Sequence, residues 1–196
     1  MKKRISGIHH ITSIVGDVQE NVNFYREVLG LRLVKKTVNF DDPRTYHLYF
    51  GDKNARPGTI ITFFPYDNAR EGKVGNGQVG VTSYMVPLGA IKFWEERLSR
   101  FNIDFKDSSR FGEKSIEFTD PHGLIIELVE REEGDKNHWS LDGISPEVAI
   151  KGFSGAVFYS HFPDLTAEIM EDLLGFEKLG EEGDYIRFKS SADIGN

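Results

Sequence analysis

Two adjacent histidines, His9 and His10, sit in an apolar, strand-like run, Gly7-Ile8-His9-His10-Ile11-Thr12-Ser13-Ile14-Val15. Side chains alternate faces along a strand, so the pair is expected to split, one ring to each face. A neutral imidazole on the inner face of a curved sheet is a ready ligand for a transition metal. Thr12, two residues beyond His10, shares its face and could hydrogen-bond a ligand there; ordinary strand propensity explains it equally well. The chain has no cysteine. Disulfides, thiolate nucleophiles and cysteine metal sites are therefore excluded, and any metal must be held by nitrogen and oxygen.

The elements that position these residues repeat. The opening recurs as Gly77-Gln78-Val79-Gly80-Val81-Thr82-Ser83 and as Gly152-Phe153-Ser154-Gly155-Ala156-Val157-Phe158, at offsets of 70 and 75 residues. Spacings this long are supersecondary modules. In this alignment His10 falls on Gly80 and on Gly155, which carry no donor atom. One repeat would then carry chemistry and two would carry scaffold. Each opening leads to a helix. Asp17, with Glu20 three residues on, caps the first, and Gly30 stops it. Pro87 starts a second through Ile91, Trp94 and Leu98. Asp164 precedes a third through Leu165, Ile169 and Leu173, stopped by Gly175. Strand signals follow each helix: Leu31 to Thr37, Tyr46 to Phe50 and Thr59 to Phe64; Ile103 to Lys106, Lys114 to Phe118 and Leu124 to Val129; then Phe176 to Gly180 and Tyr185 to Lys189.

The unit is β-α-β-β-β and the fold class α+β, with sheets that curl into cups. The boundaries are 1–70 for the first module, 71–133 for the second, 134–150 for a charged linker, and 151–196 for a third module without its last strand. A sheet short of a strand leaves an edge at which another chain can pair, so a homo-oligomer or a completing chain is expected there.

The formal net charge of −7 argues against a nucleic-acid partner, which needs a concentrated positive field. Met1-Lys2-Lys3-Arg4 resembles a signal-peptide flank, but the run after it holds two His, Thr and Ser. No run approaches the roughly 18 apolar residues of a membrane span. The expectation is a cytoplasmic protein with no membrane partner.

Paired β-α-β-β-β modules opening on a strand histidine resemble the vicinal oxygen chelate superfamily of glyoxalases, bleomycin-resistance proteins and extradiol dioxygenases. The matching stretches are Gly7-Ile8-His9-His10-Ile11-Thr12, Asn23-Phe24-Tyr25-Arg26-Glu27-Val28-Leu29-Gly30-Leu31, Tyr46-His47-Leu48-Tyr49-Phe50 with Pro57-Gly58-Thr59, and Asp120-Pro121-His122-Gly123 with Ile126-Glu127-Leu128. Together they look most like the hydroquinone-type ring-cleaving dioxygenases, which have four modules and are longer by about half a chain. The resemblance implies Fe(II), a small aromatic substrate and O₂. It implies His10 as one metal ligand, with His9 and Thr12 in supporting positions, and places the other two ligands in a fourth module. The expectation for these residues alone is inactivity unless another chain completes the site, with another divalent metal, or none, as the alternatives. A glyoxalase-type lyase or isomerase would instead bring Glu127 and His10 to one metal. A non-catalytic binding or scaffold module would hold no metal. His122, in a turn, reads as solvated; Tyr46 and His47 begin a strand and read as packing or as pocket residues.

Overall fold

The computed structural model describes residues 5–67, 70, 72–192 and 195. The first module opens with β1 (His10–Val15) and α1 (Val18–Asn23), which runs on into a π-helical turn over Phe24–Val28. Three strands follow, β2 (Arg32–Val38), β3 (Tyr46–Gly51) and β4 (Ile60–Pro65). The sheet order is β1-β4-β3-β2, with β1 and β4 parallel and the other neighbours antiparallel. The second module repeats this plan with β5 (Gln78–Val86), α2 (Ile91–Arg100), β6 (Phe105–Arg110), β7 (Glu113–Thr119) and β8 (Ile125–Glu130). The third supplies β9 (Gly152–Tyr159), α3 (Pro163–Glu168) with a π-helical turn over Ile169–Leu173, β10 (Glu177–Glu182) and β11 (Tyr185–Lys189). β9 joins the second sheet antiparallel to β5, giving the order β6-β7-β8-β5-β9. β10 and β11 form a separate hairpin.

The first and third helices match in detail. Asp17 caps the first, its Oδ1 accepting from the Glu20 amide at 2.6 Å. Both helices widen into a π turn at the same place, and both end at a left-handed glycine, Gly30 (φ 67°) or Gly175 (φ 75°). Gly30 is also fixed by space, because a Cβ there would meet Ile144 Cδ1 at 2.3 Å.

Modules one and two share one core. Ile11, Val15, Tyr25, Phe50 and Phe63 from the first pack with Tyr84, Trp94, Phe118 and Leu128 from the second. Tyr25 Oη donates to Asp120 across the junction at 3.0 Å. Arg97, 4% exposed, donates to the carbonyls of Glu27 and Val28, the last turn of the first helix. The segment 134–150, read from its charge as a linker, packs into this core through Ile144, Ala149 and Ile150. In the third module the equivalent helix lies open. Leu165, Ile169 and Leu173 are 57%, 52% and 74% exposed, where Phe24 and Val28 of the first helix are buried.

Candidate functional site on the open face of the first sheet

The first sheet buries Ile11, Val15, Leu48, Phe50, Ile61 and Phe63 against the core. Strand alternation puts His10, Thr12, Thr62, Tyr49, His47 and Lys35 on its other face. The ladders set their neighbours. Thr12 lies beside Thr62, Thr62 beside Tyr49, and Tyr49 beside Lys35. The two threonine hydroxyls hydrogen-bond at 2.9 Å. Tyr49 Oη and His47 Nδ1 are 2.9 Å apart, and the His47 ring stacks on Phe64 (centroids 4.0 Å) and lies tilted against Tyr49 (4.2 Å). His47 Nε2 is buried and has no hydrogen-bond partner among the described residues. Burial first, then the nearby His10 and Lys35, pushes His47 below the usual histidine range. It is therefore neutral at pH 7.

His9 departs from its expected place. β1 begins only at His10, so strand alternation does not govern His9. Its ring stands edge-on to that of His10, with the two Nδ1 atoms 3.1 Å apart. Both histidines are exposed, as is Thr12.

The structure does not bring Glu127 to His10. Glu127 lies on β8 in the second sheet, 4% exposed. It pairs with Arg110 and accepts from Ser83 at 2.5 Å and Ser115 at 3.1 Å. Its counterpart in the first sheet is Thr62. Each stands four residues past a left-handed glycine, Gly58 (φ 85°) or Gly123 (φ 84°), and each faces the first strand of its module, at Thr12 or Ser83. The place that the carboxylate holds in the second sheet is thus taken in the first by a threonine, beside Thr12 and two residues on from the partner of His10.

The same registers correct the sequence alignment at one point. His10 pairs with Ile60 as Val81 pairs with Ile125, so His10 corresponds to Val81 and Gly80 to His9. A bulge between Val79 and Val81 adds the extra residue. Gly80 is glycine because a Cβ there would meet the Tyr159 ring at 2.3 Å. Gly155 does correspond to His10, since each stands 20 residues before the left-handed glycine that ends its module's helix, Gly175 or Gly30. Neither Val81 nor Gly155 can ligate a metal, so the contrast between the repeats holds. His122 is packed rather than solvated, its side chain 13% exposed and its Nε2 3.9 Å from Glu20 Oε2, with no hydrogen-bond partner among the described residues.

Iron needs at least three donors in facial array, and among the described residues no group of three His, Asp or Glu side chains is placed to supply them. The donor set here does not by itself fit an iron centre. From sequence Tyr49 is only a strand residue, and His47 a packing or pocket residue. Their convergence with Thr12 depends on β4 lying between β1 and β3, a non-local fact.

No described helix is long and apolar enough to cross a membrane. The profile of the Glyoxalase/Bleomycin resistance protein/Dioxygenase superfamily matches residues 7–128. Over its whole length the chain is 60% identical to the Bacillus subtilis protein named "Putative ring-cleaving dioxygenase MhqO", of which it spans 63%. It is 34% identical to the chlorohydroquinone/hydroquinone 1,2-dioxygenase of Sphingobium indicum, covering 96% of this chain and 60% of that protein. Among solved structures, a putative dioxygenase from B. subtilis superposes with a TM-score of 0.97 at 60% identity, over 99% of this chain and 63% of that one. A glyoxylase/bleomycin resistance protein/dioxygenase domain from Frankia shares the fold at a TM-score of 0.54 and 19% identity, over 69% of this chain and 97% of that domain. The chain thus spans just under two thirds of the length of the curated relatives it matches. With its repeated modules, its curled sheets and these matches, the chain belongs to the Glyoxalase/Bleomycin resistance protein/Dioxygenase superfamily.

Proposed function

We propose that these residues form part of a cytoplasmic, Fe(II)-dependent ring-cleaving dioxygenase acting on a hydroquinone-like aromatic ring. The observation that carries this reading is the asymmetry of the two sheets. The second sheet has its first strand, β5, flanked on both sides, by β8 and β9. The first has β1 flanked only by β4 among the described residues, and it alone bears a histidine at the inward position. A further strand beside β1 would close a cup over His10 as β9 extends the sheet at Val81. The names carried by the relatives support the reaction class.

In this reading His10 is the one metal ligand offered by these residues, and the remaining ligands come from chain beyond them or from a partner at the β1 edge. His9, whose ring touches that of His10, fixes the orientation of the ligand ring. The Thr12–Thr62 hydroxyl pair presents hydrogen-bonding groups on the same face. Glu127 takes no part, because its carboxylate is engaged by Arg110, Ser83 and Ser115. That arrangement also disfavours a glyoxalase-type site shared by His10 and Glu127.

The test is anaerobic reconstitution with Fe(II) of the wild type and of His10→Ala, followed by oxygen uptake with hydroquinone. Without a completing chain, the expected result is no stoichiometric iron and no uptake. With the completing chain present, iron should bind and be lost in His10→Ala. Ring cleavage by the isolated residues with added Fe(II) would overturn the need for completion. Undiminished iron binding and turnover by the completed His10→Ala protein would overturn the role of His10.

A further inference from the structure

The geometry points to a ring-binding subsite on the open face of the first sheet, in which His47 and Lys35 select a hydroxylated aromatic ligand by its oxygens. This inference rests on the proposed substrate class and assigns the recognition to residues that need no metal.

Comparison of the two sheets isolates these side chains. Through the strand registers, Lys35 corresponds to Lys106, Tyr49 to Glu117, and His47 to Ser115. In the second sheet those positions neutralise one another. Lys106 pairs with Glu117 at 2.7 Å, and Ser115 donates to Glu127. In the first sheet the same positions carry no carboxylate. Lys35 Nζ stands 5.4 Å over the Tyr49 ring and forms no ion pair among the described residues. The face thus holds a cation without an ion pair among the described residues, a neutral imidazole and a threonine pair, with no carboxylate at the matching strand positions. It is built to receive oxygen acceptors from outside.

The aromatic part is equally specific. Tyr49, His47 and Phe64 form an aromatic cluster in which His47 stacks on Phe64 (centroids 4.0 Å) and lies tilted against Tyr49 (4.2 Å). Such a cluster offers an edge and a face to a further ring. The tautomer in which Tyr49 Oη donates to His47 Nδ1 leaves Nε2 protonated as a donor. That donor is shielded from water and unpartnered among the described residues. A buried polar hydrogen without an acceptor is unfavourable, and a ligand oxygen reaches it and restores the missing bond once the side chains that cover it part. A phenol or quinone oxygen meets this need, while a plain hydrocarbon ring does not.

The probe is hydroquinone itself, kept reduced and free of metal. The chain has six histidines, so ring-¹⁵N histidine spectra can be assigned by substitution. Hydroquinone should shift the His47 Nε2 resonance saturably. His47→Phe preserves the stack and removes the donor; Lys35→Met removes the cation. Each should weaken hydroquinone binding about tenfold, the loss of one good hydrogen bond. Tyr49→Phe frees Nδ1 to change tautomer and should also weaken binding. Lys106→Met, at the matching place in the second sheet, should leave it unchanged. Benzene should not compete. Unchanged affinity in both His47→Phe and Lys35→Met, or no saturable shift in the wild type, overturns the subsite. These outcomes are separate from those of the iron experiment. His10→Ala that binds hydroquinone normally but leaves the completed enzyme without iron or turnover supports both readings. Turnover that survives in His47→Phe and Lys35→Met with unchanged KM sinks only this one.

Discussion

Thr62 and Glu127 occupy the same position in two copies of one module, a buried threonine beside Thr12 in the first sheet and a buried glutamate beside Ser83 in the second. The substitution divides the labour of the two sheets. The glutamate locks its face with Arg110, Ser83 and Ser115, and the threonine leaves its face open.

Removing the locked carboxylate should cost stability and nothing else. Glu127→Ala leaves Arg110, only 16% exposed, without its counter-charge, and two serine hydroxyls without their acceptor. Breaking a buried pair from one side costs roughly 2–4 kcal/mol. Urea denaturation should show a lower midpoint, with hydroquinone binding at the first sheet intact. Unchanged stability would mean that Arg110 finds another partner, its ring neighbour Tyr185 being the nearest on hand.

Gly80 gives a steric prediction. Alanine there would drive its methyl into the Tyr159 ring. Gly80→Ala should destabilise by about 1–3 kcal/mol, the usual cost of overpacking. Adding Tyr159→Ala should recover part of the loss, and a double-mutant cycle measures the coupling. If the two losses simply add, the glycine is required for the bulge rather than for the ring.

These two positions also show what the sequence could convey. Local chemistry was legible: the Asp17 cap, the Gly30 and Gly175 stops and the turn at Asp120-Pro121-His122-Gly123 all depend on residues within a few places of one another. The repeat was legible to within one residue. The bulge at Gly80 shifted it, because a bulge is defined by the partner strand and leaves only a glycine in its own. The splitting of His9 and His10 failed because the strand starts at His10, three residues into its apolar run, and leaves His9 outside it. The stack of His47 with Phe64 was hidden, since it joins residues from two strands whose adjacency only the sheet order decides. The π turns at Phe24–Val28 and Ile169–Leu173 had no sequence signal of their own.

The pH dependence of stability should carry the mark of His47. Its folded pKa lies below the ordinary value near 6.5, first through burial and then through His10 and Lys35. Between the two values the unfolded chain binds more protons than the folded one, so stability falls as pH falls. This contribution is fully present above the unfolded pKa and is lost as pH drops through the folded one. Urea midpoints measured from pH 7 to 5 should decline, and the decline should be shallower in His47→Phe. An equal slope in both proteins would place the proton uptake elsewhere.

Arg97 joins the first two modules, and its loss should be the most damaging of the single changes considered. The guanidinium reaches from α2 to the carbonyl of Val28 at 2.7 Å and to that of Glu27, and contacts the Asp142 carbonyl at 2.8 Å. The last carbonyls of a helix have no partner within it, and a buried cation there satisfies them and meets the negative end of the helix dipole. Arg97→Met keeps much of the volume but strips three buried or half-buried acceptors of their donors. At about 1–3 kcal/mol for each unsatisfied group, partly relieved by water, the total should reach about 3–4 kcal/mol. Arg97→Lys keeps the charge but cannot serve the three carbonyls with one fixed fork, so it should recover only part of the loss. Hydrogen exchange should localise the damage. Amides at the end of the first helix and at Leu29 to Leu31 should lose protection first, ahead of the β5 to β8 ladder. If both regions open together, the two modules unfold as one unit and Arg97 acts on global stability alone.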